Sequence, residues 1–464
     1  METLIIVLFT IGYLCIALEH PIKINKTASA LLTGVLCWTL FMLSSPSQSV
    51  LESEHYHSFV SHLQIDEGVE KVASMGQDEI YHNFIFEQLG EHLNSISQIL
   101  FFLMGAMTIV ELVDAHHGFR FITDRISTRN PKKLLWIVGW VSFFLSAVLD
   151  NLTTTIVMIS LIRKLIPNNQ MRLFFAGIIV IAANAGGAWT PIGDVTTTML
   201  WIGGQISSGN IMVTLFLPSV ACLLVPLLYL NFTLKGTLGE IEEKPIQNNE
   251  TVVTTGKLML FIGVGALVFV PIFKTVTHLP PYIGMLLGLG VLWVVSELIN
   301  PDLDEAEKKN YTAAGALSRI DVPSVLFFLG ILLAVGALET MQVLHHLASW
   351  LDKSLGDQRI IVTLIGLLSA IVDNVPLVAA SMGMYSMDIY YQDHLVWEYL
   401  AYCAGTGGSI LVIGSAAGVA AMGMEKIDFI WYLKRISLLA MLGYFAGAAI
   451  YLLIQPYLAV HPPQ

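Results

Sequence analysis

Charged residues are scarce in this 464-residue chain, and their scarcity indicates the class of protein. Asp, Glu, Lys and Arg make up only 12% of the residues, whereas 55% are hydrophobic and the mean hydropathy is +0.70. Soluble globular domains carry about 25% charged residues. The composition therefore predicts a polytopic membrane protein, in which we expect the regular structure to be all-α.

Three further absences exclude other classes of protein. The net charge is −12, and no basic stripe suited to nucleic acid occurs, so we exclude a nucleic-acid partner. The four cysteines lie in apolar segments without CxxC spacing, which predicts neither a disulfide framework nor a zinc site. No HExxH motif, phosphate-cradling loop or nucleophile beside a base occurs, which argues against an enzyme and against a bound cofactor.

Apolar runs of membrane-spanning length recur along the chain. A window of about 20 residues predicts uninterrupted spans near residues 4–18, 28–43, 92–113, 211–232, 257–273, 281–298, 323–340 and 436–454. The first run carries Glu2 where a signal peptide has basic residues, and it lacks a small-x-small cleavage site. We therefore expect it to be a retained span.

One segment, residues 134–166, is too long for one span and too short for two. A single helix of this length would measure about 50 Å, whereas two crossings need about 40 residues and a turn. Basic residues flank both ends, with Lys132 and Lys133 before the segment and Arg163 and Lys164 after it. Basic loops favour one side of the membrane, so we predict a re-entrant hairpin with its tip at mid-segment.

An acid and an amide, Asp150 and Asn151, stand at that tip. A second copy, Asp373-Asn374, stands midway along residues 359–391, another segment of hairpin length. An Asp at the centre of a membrane segment costs about 3 kcal/mol, so paired acids in matching contexts indicate an ion site. The alternative is a pair of buried structural acids that are hydrogen-bonded to neighbouring Thr or backbone groups.

Two other spans are interrupted by glycine-rich breaks. Residues 171–206 contain a break from Asn184 to Asp194, and residues 399–424 are broken at 405–409 and 414–415. The distance from the hairpin aspartate to the glycines of the next break is 36 positions in the first copy (150 to 186) and 34 in the second (373 to 407). Motif order and spacing therefore both recur.

Two halves of opposite topology follow from this pattern and from the basic residues. With basic loops inside, 19 of the 23 Lys and Arg residues are cytoplasmic, and Lys71, Lys274, Lys353 and Arg359 are outside. We expect inverted five-span repeats at 1–233 and 257–455, a cytoplasmic linker at 234–256 and an external tail at 456–464. This is the architecture of many secondary transporters, whose hairpin tips and broken helices meet near the midplane.

The chemistry of that meeting point is rich in oxygen. Hard oxygen ligands suit a small cation, and no Arg lies within the motifs to hold a carboxylate. We expect Na⁺ at Asp150 and Asp373, and burial of neighbouring acids lets a proton compete with the cation. Competition at an alternating-access site is antiport. The candidate positions are Asp150, Asn151, Thr153, Thr154, Asn184, Asp194, Thr196, Thr197, Ser369, Asp373, Asn374, Thr406, Ser409 and Ser415.

Other ionisable residues are weaker candidates. Glu111, Glu339 and His92 stand near span ends, where each is either part of a proton path or pH sensor, or an ordinary interfacial side chain. Three histidines at positions 55, 57 and 62 of the polar loop 44–91 offer a metal site. Their irregular spacing favours the alternative of a disordered or surface-helical loop.

The motifs resemble a known family. Asp150-Asn151-x-Thr, the stretch at 184–201 and Asp373-Asn374-x-Pro are similar to the NhaD-type sodium/proton antiporters of the ion transporter superfamily. The resemblance covers nearly the whole chain and is weakest at 44–91. It implies a multi-pass protein of the bacterial inner membrane that exchanges Na⁺ or Li⁺ for H⁺ and serves pH homeostasis and salt tolerance. Both termini are then expected to be periplasmic.

The same resemblance implies kinship with dicarboxylate carriers, which work as homodimers. Those carriers have a Ser-Asn-Thr motif at the hairpin tips, where this chain has Asp-Asn, and this difference fits transport of cations alone. A sodium-coupled carrier of a dicarboxylate or oxyanion, built on the same architecture, is the alternative function.

Overall fold

The computed structural model describes residues 2–126, 128–234, 238, 250–299 and 311–458, and every regular element in these ranges is a helix. Most of the predicted linker at 234–256 and the end of the predicted tail at 456–464 lie outside the described residues. The helices are α1 Glu2–Ala17, α2 Glu19–Ile22, α3 Lys26–Met42, α4 Gln48–Leu51, α5 Glu54–Glu67, α6 Val69–Ser74, α7 Gln77–Ala115, α8 Arg120–Thr123, α9 Pro131–Leu149, α10 Asn151–Leu165, α11 Asn169–Gly187, α12 Val195–Ile202, α13 Ser208–Thr233, α14 Glu250–Thr277, α15 Pro281–Ile299, α16 Ala313–Leu317, α17 Val322–Thr340, α18 Val343–Leu355, α19 Gln358–Leu368, α20 Asn374–Met384, α21 Leu395–Gly407, α22 Ala416–Glu425, α23 Phe429–Arg435 and α24 Ser437–Leu458.

Eight of these helices are long and apolar enough to cross a membrane, namely α7, α9, α11, α13, α14, α15, α17 and α24. The shorter helices α1, α3, α19 and α20 are also apolar. The predicted class, an all-α polytopic membrane protein, is therefore confirmed.

The chain forms two compact units. Unit 1 contains residues 1–100, 322–357 and 379–389, and unit 2 contains residues 101–321, 358–378 and 390–464. In unit 1, α3 packs closely against α17, because Gly34 and Gly330 let the two backbones approach each other. A Cβ on Gly34 would lie 2.4 Å from the Gly330 carbonyl oxygen. The Trp38 indole N–H strengthens this contact by donating to the Leu333 carbonyl oxygen (2.8 Å).

The polar loop expected at 44–91 is helical in the structure. It forms α4, α5 and α6, and α7 begins at Gln77 and not near residue 92 as the hydropathy predicted. The 39 residues of α7 span about 58 Å, well beyond one bilayer core. The histidines at 55, 57 and 62 are exposed, and within the described ranges no three His, Cys, Asp or Glu residues are grouped to hold a metal. The surface-helical alternative therefore fits.

Unit 2 contains the helix breaks that the sequence predicted. Asp150 is the single residue between α9 and α10, and residues 369–373 separate α19 from α20. The broken spans are interrupted at 188–194 and 408–415. Both breaks begin later than expected. Residues 184–187 and 405–407, which were predicted to be unwound, are still helical. The unwound carbonyls predicted near Gly186 therefore begin at Ala188.

Glycines bring each broken span against the first helix of the hairpin before it, α11 against α9 and α21 against α19. A Cβ on Gly186 would lie 2.1 Å from the Phe143 carbonyl oxygen, and a Cβ on Gly407 would lie 2.0 Å from the Gly366 carbonyl oxygen. Real Cβ atoms do not approach an oxygen so closely, so any larger residue would push the helices apart. The same backbone contact is thus made once in each half of the chain.

A serine fixes the same pair of helices in each half. Ser146 donates its hydroxyl to the Ala183 carbonyl oxygen (2.6 Å), and Ser369 donates to the Ala404 carbonyl oxygen (3.1 Å). Each serine stands four residues before the hairpin aspartate. These contacts hold both hairpin tips at the level of the breaks in the neighbouring spans.

Candidate functional site

Four half-helices begin at the breaks in unit 2, and a side chain caps the N-terminus of each. Three of the four caps are carboxylates and one is a hydroxyl. Half-helix N-termini carry partial positive charge and attract anions. Here a side chain of the protein itself already accepts from each of these ends, and at three of them that side chain is a carboxylate. The caps are Asp150 on Thr153 N (2.8 Å), Asp194 on Thr196 N (2.8 Å), Asp373 on Val375 N (3.4 Å) and Ser415 on Gly418 N (3.2 Å).

Asp194 is the centre of a buried polar cluster, and it is only 1% exposed. Its Oδ2 accepts from the Asn151 Nδ2 at the first hairpin tip (2.6 Å). Its Oδ1 accepts from the Thr196 hydroxyl (2.7 Å) and, at 3.5 Å, from the Asn374 Nδ2 at the second tip. Side chains that are distant in sequence therefore meet on one carboxylate.

Asn184 joins the two breaks. Its Oδ1 accepts from the Asn151 Nδ2 (3.0 Å), and its Nδ2 donates to the Ser415 hydroxyl (3.0 Å) and to the Val180 carbonyl oxygen (3.1 Å). The Asn184 side chain is fully buried. We name the set formed by Asn151, Asn184, Asp194, Asn374 and Ser415 the Asp194 cluster.

Asp150 adopts a strained backbone conformation at the first hairpin tip. Its φ is +116° and its ψ is 163°, a combination that costs a residue with a side chain about 1–3 kcal/mol. Thr153 supplies both its backbone N–H and its hydroxyl to the carboxylate, each at 2.8 Å. Strain of this kind persists where the surroundings impose it, and it is frequent at functional sites.

Asp194 lies close enough to the two hairpin aspartates to be affected by both. The charges of Asp373 and Asp150 both act electrostatically on Asp194. Thr154, one turn after Asp150, has a fully buried hydroxyl for which the described residues supply no hydrogen-bond partner. Such an unsatisfied buried hydroxyl is unusual in a native structure.

The remaining predicted hydroxyls hold backbone groups. Thr197 donates to the Asp194 carbonyl oxygen (2.9 Å), Thr406 to the Tyr402 carbonyl oxygen (2.6 Å), and Ser409 to the Thr406 carbonyl oxygen (2.7 Å). Ser369 ties α19 to α21, as described above. In the structure these four residues support the breaks and make no hydrogen bond to the Asp194 carboxylate.

The weaker candidates lie in other surroundings. In unit 1, the His92 Nε2 is hydrogen-bonded to the Thr340 hydroxyl (3.0 Å), so this histidine is not simply solvated. Also in unit 1, Glu339 packs against Gly383, where an added Cβ would lie 3.0 Å from its Oε2. In unit 2, Glu111 pairs with Arg319 at 2.5 Å on a partly exposed surface.

Two buried carboxyl groups were missed by the sequence reasoning. The Glu425 side chain is fully buried at the end of α22 and pairs with Arg163 (2.6 Å) and Arg172 (2.5 Å). Glu398, in the first turn of α21, is 5% exposed. Glu398 could have been identified from the sequence, because it is an acid inside the apolar run of α21. The partners of Glu425 stand more than 250 positions away, and no local pattern identifies them.

The chain is similar to known transport proteins over nearly its whole length. The family described as "Citrate transporter" matches residues 13–405 of the chain. Sodium/proton antiporter 1 of Arabidopsis thaliana is 49% identical over 96% of this chain and 71% of its own length. Sodium/proton antiporter 2 of the same plant is 44% identical over 98% of both chains. The Na(+)/H(+) antiporter NhaD of Vibrio cholerae is 30% identical over 97% of this chain and 91% of its own length.

Proposed function

Because the chain belongs to the citrate-transporter family and, within it, to the NhaD-type sodium/proton antiporters, we propose that it exchanges Na⁺ for H⁺ across a membrane. Its class is a multi-span transporter and not an enzyme. The proposal includes alternating access of one site built from both halves, with Li⁺ as a second transported cation. The ligands of the proposed site are the transported ions, and the proposal involves no cofactor.

The observation that carries the proposal is the set of carboxylate caps. In a carrier of an organic anion, free half-helix N-termini attract the carboxylates of the substrate. In this chain Asp150, Asp194 and Asp373 already cap three of those ends. Among the described residues, no Lys or Arg hydrogen-bonds the Asp194 cluster. The charge of the site favours a cation over citrate or another dicarboxylate.

The amide groups also suit a cation. Asn151 and Asn374 direct their Nδ2 atoms to Asp194, which leaves the amide oxygens of both residues for an ion. Together with the Thr154 hydroxyl and the aspartate oxygens, they provide the hard ligands that Na⁺ prefers. A proton on Asp194 removes the negative charge that offsets Na⁺ desolvation. Proton and Na⁺ therefore exclude each other.

Proteoliposomes that contain a pH-sensitive dye test the function. Addition of Na⁺ or Li⁺ outside should raise the internal pH as protons leave, whereas K⁺ should have a smaller effect. Asp194→Asn vesicles serve as the matched control and should show no change. Uptake of citrate or succinate driven by a Na⁺ gradient, without pH change on addition of Na⁺ alone, would instead support the anion carrier.

The predicted inverted topology has its own test. Cysteines introduced at Arg129, before the first hairpin, and at Lys353, before the second, should be labelled by an impermeant reagent from opposite sides of the membrane. Both residues are exposed. Of the native cysteines only Cys15 is not buried, so a Cys15→Ala background suffices. Labelling of both positions from one side would exclude the inverted repeat.

We also propose the homodimer and the bacterial inner membrane that the resemblance implies, with both termini periplasmic. The Vibrio relative supports that location, and the Arabidopsis relatives are the reason to test a plant membrane beside it.

A further inference from the structure

A second buried carboxyl group lies apart from the Asp194 cluster. Glu398 stands in the first turn of α21, and its side chain reaches α13 and α24. Its Oε1 accepts from the Asn210 Nδ2, and its Oε2 accepts from the Tyr451 hydroxyl (2.7 Å). The residue is 5% exposed, and Tyr451 is fully buried. Both partners are neutral, so nothing in this contact offsets a negative charge on Glu398.

The titratable groups around Glu398 do not compensate that charge either, and the His394 ring, one turn earlier, is neutral while its Nδ1 accepts from Val396 N. Asp393, just before α21, has the same sign and acts on Glu398. Tyr399 is the next residue on α21, and Arg359 at the start of α19 acts on Tyr399. In the described part of the chain no Lys or Arg hydrogen-bonds Glu398. A buried carboxylate without a cation is unfavourable, and such groups take up a proton instead.

The Tyr451 hydroxyl can serve both protonation states of Glu398. Its oxygen lies 2.7 Å from Glu398 Oε2 and 3.5 Å from the Leu395 carbonyl oxygen. When Glu398 is ionised, the tyrosine O–H donates to the carboxylate. When Glu398 carries a proton on Oε2, that proton is donated to the tyrosine oxygen, and the tyrosine O–H turns towards Leu395. Rotation of one hydroxyl thus accommodates the gain or loss of a proton.

We propose that Glu398 is a second proton-binding site, which takes up and releases a proton during the exchange described under Proposed function. Gly407, the last residue of α21 before the break, stands nine positions after Glu398, a rise of about 14 Å along the helix. Glu398 is therefore too far along α21 to coordinate an ion in the break, and its proton is bound independently of the Na⁺ ligands. The inference rests on the proposed antiport for its role in transport, but proton binding itself can be measured without transport.

Infrared difference spectroscopy on the purified full-length protein without Na⁺ tests proton binding directly. Stepping the pH should reveal a protonated-carboxyl band that is absent from Glu398→Gln and retained in Asp388→Asn, an exposed carboxyl control. Tyr451→Phe keeps the ring but removes the hydroxyl, and should move the midpoint of that band by about one pH unit. Identical bands in wild type and Glu398→Gln, or an unmoved midpoint in Tyr451→Phe, would overturn the proposal.

Transport then tests the role of that proton. In proteoliposomes, Glu398→Gln should still exchange Na⁺ for H⁺. The slope of the exchange rate against pH should then report one titrating proton fewer than in the wild type. Asp388→Asn should match the wild type. An unchanged pH profile in Glu398→Gln would exclude Glu398 from the cycle. If the wild type itself exchanged no Na⁺ for H⁺, the proposed function would fail, whereas the infrared result for Glu398 would stand.

Discussion

The two helix breaks of unit 2 share a backbone geometry but differ in chemistry. In the first break an added Cβ on Gly187 would lie 2.3 Å from the Gly193 carbonyl oxygen, and in the second a Cβ on Gly408 would lie 2.8 Å from the Gly414 carbonyl oxygen. The residue after each of these second glycines caps the next half-helix. It is Asp194 in the first break and Ser415 in the second. The two breaks therefore have matching backbones, but only the first carries a negatively charged cap.

The two hairpin tips also differ, because the aspartate of the first tip is held more tightly than that of the second. The first tip is a single strained residue, Asp150, whose carboxylate accepts twice from Thr153 at 2.8 Å. The second tip is unwound over residues 369–373, and Asp373 accepts from Val375 N at the longer distance of 3.4 Å. Pro376 follows where the first copy has a threonine. We infer that the first half holds the ion and the second half completes its shell.

Removal of charge should have the largest effect. Asp194→Asn, Asp150→Asn and Asp373→Asn should each abolish exchange, because an amide neither releases a proton nor offsets the desolvation of Na⁺. Ser415→Ala, the uncharged cap of the other break, should reduce exchange by less than about tenfold, as expected for loss of one neutral hydrogen bond. Exchange is measured in proteoliposomes, with thermal unfolding as a control for folding. Full exchange in the three Asn variants would remove the aspartates from the mechanism.

The glycine contacts should be equally sensitive in both halves. Gly186→Ala and Gly407→Ala each force a methyl group against a carbonyl oxygen, which should cost about 1–3 kcal/mol of stability. Gly423→Ala on α22 is the matched control, because open space surrounds its Cβ position. Thermal unfolding of the purified variants measures the effect. A loss confined to one half would mean that the two breaks are not structurally equivalent.

The sequence predicted the helix breaks because local composition decides them. Asp-Asn inside an apolar run and glycine-rich stretches between apolar runs are visible without knowledge of the fold. The residues that meet were also predicted, since Asn151, Asn184, Asp194 and Asn374 all belong to those motifs. The signal for Ser146 was present but overlooked, since Ser369 occupies the same position before Asp373.

Other features depend on packing between distant segments and could not be predicted. The Glu425 pairs with Arg163 and Arg172 join residues from opposite halves of the chain. The bounds of the helices at 44–91 could not be predicted either, because a polar surface helix and a polar loop have similar composition. The partners of the hydroxyls could not be predicted either, since Thr406 and Ser409 donate to backbone carbonyl oxygens that composition does not reveal.

The starts of the two broken spans give the smallest predicted effect. Asn168 caps α11 and His394 caps α21, where its Nδ1 accepts from Val396 N (3.2 Å) and therefore must be unprotonated. Burial lowers the pKa of His394. As the pH falls below about 6.5, the unfolded state takes up a proton before the folded state does, so this contribution to stability is present above that pH and is lost below it.

His394→Asn should make the two starts alike. It keeps a cap without a titrating group, so the stability of the variant should fall less between about pH 7 and pH 5 than that of the wild type, by at most about 1 kcal/mol. Thermal unfolding at a series of pH values measures this. An identical acid dependence in both proteins would show that folding does not change the pKa of His394.

The central claim is that Na⁺ and H⁺ compete for the oxygens of the Asp194 cluster and its neighbouring aspartates. Calorimetric titration of Na⁺ into the purified protein from about pH 5 to pH 9 tests it most directly. Once the pH is below the pKa of the site, the apparent Kd for Na⁺ should increase about tenfold per unit fall in pH for each proton displaced. Asp194→Asn should bind no Na⁺. A Kd for Na⁺ that stays constant over the whole pH range, or that is unchanged in Asp194→Asn, would contradict the claim.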